Sequence, residues 1–258
     1  MARNYLEKTK KIYFASDVHL GAPGIKDHRQ HEKRFVTWLD SIKHEAAGIY
    51  LMGDIFDFWF EYKRVVPRGF TRFLGKLSEI TDLGIPVHFF TGNHDIWLFD
   101  YLENECGVKV YRKPIVKDFN GKKLFLAHGD GLGDYDRHYN FLKSVFTNKF
   151  AQWLFERIHP NAGIGLANFW SGKSREKNNK EYGNNYLGDD KEFAVLYAKE
   201  YLKKEKVDYF VFGHRHVART VSVGPESQLV FLGDWIQNFS YGVFDGETLE
   251  LKFIDKNL

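Results

Sequence analysis

The sequence is poor in cysteine and shows little excess of charge of either sign. Its single cysteine, Cys106, excludes an internal disulfide and any metal cage built from thiolates. One cysteine also fits a reducing compartment. The net charge of +3 is too small for the broad basic surface with which proteins bind nucleic acid in general. We therefore expect no nucleic-acid partner.

Long apolar runs are also missing. No stretch of about 18 consecutive apolar residues occurs, so a transmembrane helix is not expected. Residues 1–11 are charged throughout and lack the apolar centre of a signal peptide. These features favour a cytoplasmic location.

Aromatic residues, in contrast, are abundant. They make up 17% of the chain, and phenylalanine alone occurs 24 times. This excess fits either a large core or a surface that holds an apolar ligand. The length of 258 residues fits a single α/β domain over residues 1–258, with one insertion.

Short buried strands alternate with helices over the first half of the chain. Helical spacing of apolar residues covers 29–46 and 70–83. Strands are predicted at 12–15, 49–52, 87–90, 108–111, 115–119, 122–127 and 207–212, with shorter ones from 217 onward. The early alternation is typical of βαβ units with a largely parallel sheet. The whole pattern predicts two packed sheets covered by helices.

Residues 131–189 interrupt the run of strands and are predicted to form a lid over the edge of the sheet. The first half, 139–158, is predicted as one helix that is apolar around much of its circumference. The second half is rich in Gly and Asn and contains a basic cluster. Two interpretations stay open for each half. The helix either packs into the core or lines an apolar channel, and the basic run is either a solvated loop or a contact for substrate.

Five of the predicted strands are each followed by a short motif with possible metal ligands. The motifs are Asp17-Val18-His19, Gly53-Asp54-Ile55-Phe56-Asp57, Gly92-Asn93-His94-Asp95, His128-Gly129-Asp130 and Gly213-His214-Arg215-His216. Because ligands bind beyond the carboxyl ends of the strands in open α/β sheets, these loops are expected to converge on one site. Carboxylate, imidazole and amide oxygen donors suit Mn, Fe or Zn.

This ordered set of motifs resembles the calcineurin-like metallophosphoesterases, and the resemblance spans residues 12–216. It implies a four-layer α/β/β/α sandwich with a helical lid, and a hydrolase that uses two divalent metal ions, Mn²⁺ being expected before Fe or Zn. By the resemblance, one ion is held by Asp17, His19, Asp54 and His216. The other is held by Asp54, Asn93, His128 and His214. Asp54 would therefore bridge the two ions.

A narrower resemblance is to the nucleotide-lipid pyrophosphatases of lipid A synthesis within that family. The chain length, the His128-Gly129-Asp130 start of the lid and the aromatic helix with its basic loop carry this resemblance. It implies a nucleotide-lipid substrate and peripheral contact with the cytoplasmic face of the inner membrane. Substrate contacts are then expected from Asp136, Tyr139, Lys173, Arg175 and Lys180.

His94 and Asp95 follow the predicted ligand Asn93. The resemblance makes His94 a cation or an acid near the leaving oxygen, oriented by Asp95. The alternative is a structural histidine behind the ligands. The best-known branch of the nucleotide-lipid enzymes has arginine at the position of His94. In this chain the contact of that arginine with phosphate would fall to His94 or to a residue of the lid.

Two rival functions remain. One is a phosphodiesterase or phosphatase of the same family that acts on another nucleotide or phosphoester. The other is a scaffold without catalysis, since members of a fold can lose their chemistry and keep their shape. Such a scaffold should lack several of the ligands, whereas every ligand position is filled in this chain.

Overall fold

Eleven strands and six helices form the part of the chain that the structure describes. This computed structural model describes residues 10–133, 137–167, 169 and 185–255. The strands are β1 (Lys11–Ala15), β2 (Ala46–Leu51), β3 (Val87–Phe90), β4 (Lys109–Tyr111), β5 (Ile115–Phe119), β6 (Lys122–Leu126), β7 (Tyr209–Phe212), β8 (Ala218–Gly224), β9 (Ser227–Leu232), β10 (Ser240–Phe244) and β11 (Leu249–Phe253). The helices are α1 (His28–Ile42), α2 (Thr71–Asp82), α3 (Tyr101–Cys106), α4 (Arg137–Thr147), α5 (Lys149–Glu156) and α6 (Phe193–Leu202). A further stretch, 160–167, is also helical.

The strands form two mixed sheets. The first has the order β11-β10-β1-β2-β3-β4, in which β1 to β4 are parallel and β10 and β11 are antiparallel additions. The second has the order β5-β6-β7-β9-β8, in which β6, β7 and β9 are parallel. The parallel strands of each sheet end at the same edge, so the loops after β1, β2, β3, β6 and β7 can meet there.

Three apolar cores separate four layers. Strand β1 shows why: Tyr13 and Ala15 face the core under α1, α2 and α3, whereas Ile12 and Phe14 face the core between the two sheets. Alternate side chains of a strand point to opposite faces, so a strand that is buried on both sides is apolar throughout. The third core lies between the second sheet and α6. The predicted α/β/β/α sandwich is therefore confirmed.

Several predicted boundaries shift in the structure, and two helices were missed. Helix α1 ends at Ile42 rather than at 46, because Ala46 already begins β2. Helix α3 spans only six residues, which is too short for a clear period of apolar residues. Helix α6 covers the second sheet and has three buried residues, Ala194, Val195 and Ala198.

The predicted helix over 139–158 is wrong as a single element. It is two helices, α4 and α5, that are divided at Asn148. The backbone of Asn148 is extended (φ −70°, ψ 123°), and its side chain accepts hydrogen bonds from the N–H groups of Phe150 and Ala151. An asparagine in this position caps a new helix and ends the preceding one.

Some apolar side chains of these two helices pack against the rest of the protein, and others are exposed to solvent. Phe155 packs on the rings of Trp97 and Phe60, with centroids 4.6 and 4.8 Å apart, and Trp97 Nε1 donates to the carbonyl oxygen of Phe146 at 2.7 Å. Phe141 and Phe150 instead are 69% and 67% exposed. The interpretation of this segment as ordinary core is therefore wrong for its outer face.

Among the residues that the structure describes, no helix is both long enough and apolar enough to cross a bilayer.

Candidate metal centre

The five sequence motifs meet where the two sheets pack together. The N–H of Asp17, after β1, donates to the carbonyl oxygen of Gly53, after β2, at 3.1 Å. His128 Nδ1, after β6, donates to the carbonyl oxygen of Met52 at 2.8 Å, and the N–H of Gly213 donates to the carbonyl oxygen of His128 at 2.8 Å. Backbone bonds therefore join neighbouring strand ends within each sheet, and the imidazole of His128 joins the motifs of the two sheets.

Three groups of side chains in these motifs bring their donor atoms within 4.8 Å of one another. They are Asp17 with His19 and His216, His19 with Asp54 and His94, and Asp54 with His128 and His214. Asp54 belongs to two of the groups, which is the geometry that a bridging ligand needs. Its Oδ2 atom lies 3.2 Å from His128 Nε2 and 4.0 Å from His19 Nε2.

The backbone at these positions is strained. Among the described residues, eight that are not glycine have a positive φ, and five of them are predicted ligands: Asp17, His19, Asp54, His214 and His216. A left-handed backbone is uncommon for residues with a side chain, and it persists where the surrounding structure imposes it. Such outliers concentrate at functional sites, so the clustering supports a site at this point.

The donor set also fits divalent cations. Within the described part of the chain, six buried polar side-chain atoms lack a hydrogen bond, and three are Asp17 Oδ1, Asn93 Oδ1 and His128 Nε2. In addition, His19 Nε2 faces His216 Nε2 at 3.2 Å. Buried polar atoms normally have partners, because an unpaired one costs the free energy of its desolvation. A cation that accepts these oxygen and nitrogen donors supplies the missing partner.

The pKa values of the buried side chains indicate a strongly anionic site. Burial acts to lower the pKa of His128 and of His19, but the neighbouring carboxylates, Asp54 foremost for His128 and Asp17 for His19, raise both to about 10. Burial lowers the pKa of His214 to about 4, and the charge of His128 adds to this effect. Carboxylates that hold protons on two buried histidines at neutral pH would hold divalent cations instead, with release of those protons.

His94 is placed differently from the expectation. Its Nδ1 donates to the carbonyl oxygen of Asp57 at 2.9 Å and lies 3.8 Å from Asp57 Oδ1. Because a carbonyl oxygen only accepts, Nδ1 carries the proton, and Nε2 of the neutral ring presents a lone pair. Burial lowers the pKa of His94, which favours this neutral ring.

The expected orientation of His94 by Asp95 is wrong, since Asp57 occupies that place. Asp95 is fully buried, and both of its oxygens are bonded to backbone. One accepts from the N–H of Gly92 at 2.7 Å, and the other accepts from the N–H groups of Ile55 and Phe56. Burial, followed by the charge of Asp54, raises the pKa of Asp95 to about 7. Asp95 therefore links the loops after β2 and β3 through hydrogen bonds to their backbone, and it supports the site without facing His94.

Two carboxylates outside the predicted ligand sets, one of them in the second motif, support the histidines. Asp57 Oδ1 lies 3.2 Å from His19 Nδ1, and Asp234 Oδ2 lies 3.3 Å from His216 Nδ1. A carboxylate behind a ligating histidine fixes the ring and its tautomer. Burial opposes ionisation of Asp234, but the bond from His216 and two backbone N–H groups bring its pKa down to about 2. Asp234 follows Gly233 at the end of β9, so the same strand-then-Gly-Asp signal was present in the sequence.

Both ends of the predicted lid are joined to ligand loops through buried carboxylates. At the first end, Asp130 Oδ2 accepts from Tyr139 Oη and, at 2.6 Å, from Lys143 Nζ. At the other end, Glu192 forms a two-pronged ion pair with Arg215, at 2.8 and 2.9 Å. Arg215 lies between His214 and His216 in the chain, and neither ion pair was visible from motif spacing.

Of the predicted substrate contacts, Tyr139 is the one among the described residues. Tyr139 lies beside the site, with its ring centroid 6.2 Å from that of His214. Asp136, Lys173, Arg175 and Lys180 lie outside the described residues. Their role stays a prediction.

The fold and the site together define a class of metal-dependent phosphoesterases, and comparison with known proteins places the chain within it. Residues 10–218 match the family model described as calcineurin-like phosphoesterase, and the chain belongs to that family of metal-dependent hydrolases. A curated relative, the UDP-2,3-diacylglucosamine hydrolase of Porphyromonas gingivalis, is 43% identical over 95% of this chain and 98% of its own. The protein of the same name from Actinobacillus succinogenes is 26% identical over 87% of this chain and 92% of its own.

Among solved structures, a dimetal phosphatase from Danio rerio aligns with 95% of this chain and 96% of its own. Its sequence identity is 13%, and the TM-score is 0.46.

Proposed function

We propose that this chain hydrolyses the pyrophosphate bond of UDP-2,3-diacylglucosamine and releases UMP and 2,3-diacylglucosamine 1-phosphate. The observation that carries the proposal is the 43% identity, over 95% of the chain, with a curated relative that is named for this substrate. The aligned region spans nearly the whole of both chains and therefore includes most of the predicted insertion, 131–189.

The ligand sets follow the sequence prediction. Asp17, His19, Asp54 and His216 would hold one divalent ion. Asp54, Asn93, His128 and His214 would hold the other, and Mn²⁺ is the ion we propose. When bound, such a pair orients and polarises a phosphoryl group and lowers the pKa of a bound water. The three unpaired buried donor atoms support this assignment.

The side chains around the ligands would orient the phosphates. The oxygen of the attacking water would form a bond to the phosphorus next to uridine, and the water would release a proton to solvent. The bond from that phosphorus to the bridging oxygen would break and leave its electron pair on the lipid phosphate. His94 Nε2 would face this leaving phosphate. A phosphate anion beside it favours the protonated ring, which then donates to the leaving oxygen. A phosphate leaving group needs little further help from an acid.

The proposed function is tested by hydrolysis of UDP-2,3-diacylglucosamine beside a plain aryl phosphodiester, bis(p-nitrophenyl) phosphate. With added Mn²⁺ we expect release of UMP and a strong preference for the lipid substrate. Removal of the metal with EDTA should stop the reaction, and Mn²⁺ should restore it. Cleavage of the aryl ester alone would leave the phosphoesterase chemistry intact and favour the rival assignment, a phosphodiesterase with another substrate.

The substrate carries two acyl chains, so we further propose a cytoplasmic protein that contacts the inner membrane peripherally. The outer face of α4 and α5 supports this proposal. It presents large exposed apolar side chains to solvent: Phe141, Leu142, Val145, Phe150, Trp153 and Leu154. Large exposed apolar patches mark surfaces that bind a membrane, a ligand or a protein partner.

Replacing both Phe150 and Trp153 by serine is expected to weaken binding to lipid vesicles by about tenfold or more, because each exposed ring contributes roughly 1.5–3 kcal/mol when it leaves water. The rings are 67% and 48% exposed, so the fold should survive the change. Phe253→Ser is the matched control, since Phe253 is 59% exposed on β11, far along the chain from the lid. Recovery of the wild type in the supernatant after sedimentation with vesicles would contradict the proposed contact.

A further inference from the structure

A cavity of about 570 Å³ lies beside the metal centre. Its walls include Leu20, Phe58 and Ile164, from the loop after β1, the loop after β2 and the helical stretch 160–167. Leu20 directly follows the predicted ligand His19. The carbonyl oxygen of Leu20 accepts from the N–H of Asp57 at 2.9 Å, and Asp57 directly precedes Phe58. The cavity therefore borders the backbone that carries the centre, and its volume lies within the roughly 300–1,000 Å³ of small-molecule sites.

The charged residues that line the cavity are unequal in number. The lining includes three arginines, Arg29, Arg68 and Arg72, beside His28, and one acidic residue, Glu32. Glu32 is already engaged: it accepts from the N–H of Arg72 at 2.9 Å, and its other oxygen lies 3.7 Å from the guanidinium group of Arg72. Arg29 and Arg68 have no acidic partner within the part of the chain that the structure describes. The cavity is therefore left with two positive groups that can donate hydrogen bonds.

The remaining walls are flat and apolar. Phe58 and Phe70 both line the cavity. Phe70 has a left-handed backbone, with φ 58° and ψ 19°, which a bulky residue rarely adopts without an imposed constraint. A Cβ atom on Gly21 would lie 3.1 Å from Phe70 Cζ, so glycine at that position leaves room for the ring. The ring is thus held against the cavity at the expense of backbone strain.

We propose that this cavity binds the uridine half of the substrate, an inference that rests on the proposed function. The uracil ring packs on the phenylalanine rings, and its two carbonyl oxygens accept hydrogen bonds from Arg29 and Arg68. A planar, polar ring suits both kinds of wall. Arg29 and Arg68 are exposed to solvent, and an acyl chain would offer them no hydrogen-bond acceptor. The position beside the metal centre leaves the phosphates within reach of the ligand loops.

The test uses Arg68→Ala and Arg29→Ala, with Arg64→Ala as the matched control. Arg64 is exposed in the segment before Arg68 and does not line the cavity. With the Mn²⁺-loaded protein, KM for UDP-2,3-diacylglucosamine and the inhibition constant of UMP should each rise about tenfold per charged hydrogen bond lost. The value of kcat and the inhibition constant of inorganic phosphate should stay unchanged, and Arg64→Ala should match the wild type.

Other outcomes separate the alternatives. An unchanged inhibition constant of UMP, with weaker inhibition by 2,3-diacylglucosamine 1-phosphate, would overturn the proposal in favour of an acyl site. An equal rise in the inhibition constants of UMP and inorganic phosphate would mean that the arginines contact only phosphate. That result would also overturn the proposal. If the wild-type protein does not hydrolyse UDP-2,3-diacylglucosamine, the proposed function itself is wrong. Equilibrium binding of UMP to the wild type and to Arg68→Ala would then still decide whether the cavity takes a nucleotide.

Discussion

Asp54→Ala is expected to lower kcat/KM by about 10³-fold or more, because loss of a bridging ligand removes several kcal/mol of charge stabilisation. Asp54, like His19, belongs to two of the three donor groups, and it is the carboxylate among the two. Its Oδ1 accepts from the N–H of His94 at 2.8 Å, and its Oδ2 lies 3.2 Å from His128 Nε2. No second carboxylate occupies the same place among the described residues, so the site has no substitute for it.

The fold should survive the loss of Asp54. The fully buried Asp95 lies nearby, and the charge of Asp54 raises its pKa. Removal of Asp54 therefore relieves a repulsion between carboxylates as well as removing a ligand. Metal content after dialysis, kcat/KM and a thermal unfolding curve measure the three effects separately. Asp82→Ala, on the exposed end of α2, is the control. A variant of Asp54 that kept wild-type metal content and turnover would rule out the two-metal site.

Gly92→Ala is expected to damage the site through shape alone. A Cβ atom on Gly92 would lie 2.6 Å from the backbone nitrogen of Asp54 and 2.8 Å from its Cγ. Rotation of the Asp54 side chain does not relieve the first contact, because it is with backbone. The loops after β2 and β3 must therefore separate, and the hydrogen bond from the N–H of Gly92 to Asp95 is strained with them.

The expected loss for Gly92→Ala is about 10²-fold in kcat/KM, together with roughly 1–3 kcal/mol of unfolding free energy for overpacking. Gly75→Ala is the matched control. Gly75 lies inside α2 with no atom within 4 Å of an added Cβ, so alanine there should stabilise the protein by about 0.5–1 kcal/mol and leave activity unchanged. Equal activity of the two variants would show that the two loops are free to separate.

The strands that carry the ligands were predictable because their signal is local. Strand β3 lies at its predicted residues, 87–90, and β7 (Tyr209–Phe212) lies within the predicted 207–212. Each is short and apolar and ends at a polar or glycine-containing turn, which is the pattern of a buried strand. The helices were less predictable. Asn148 divides the lid helix through a capping bond that competes with the apolar period on either side.

The supporting contacts of the site were beyond the reach of motif spacing. Glu192 pairs with Arg215, and Asp234 pairs with His216. The members of each pair are about 20 residues apart in the chain and come together only in the folded structure. His94 faces Asp57 from another loop rather than its neighbour Asp95, whose oxygens are taken up by backbone N–H groups.

The sequence by itself determined the layered α/β architecture, the order of the ligand motifs and the type of donor atoms. These depend on residue type and on periods of two and 3.6 residues, which a linear chain displays. Only the tertiary structure decided which donors lie within 4.8 Å of one another, which buried atoms lack partners and where an arginine-lined cavity borders the centre. Those properties are distances between residues far apart in the chain, and the packing of the two sheets sets them.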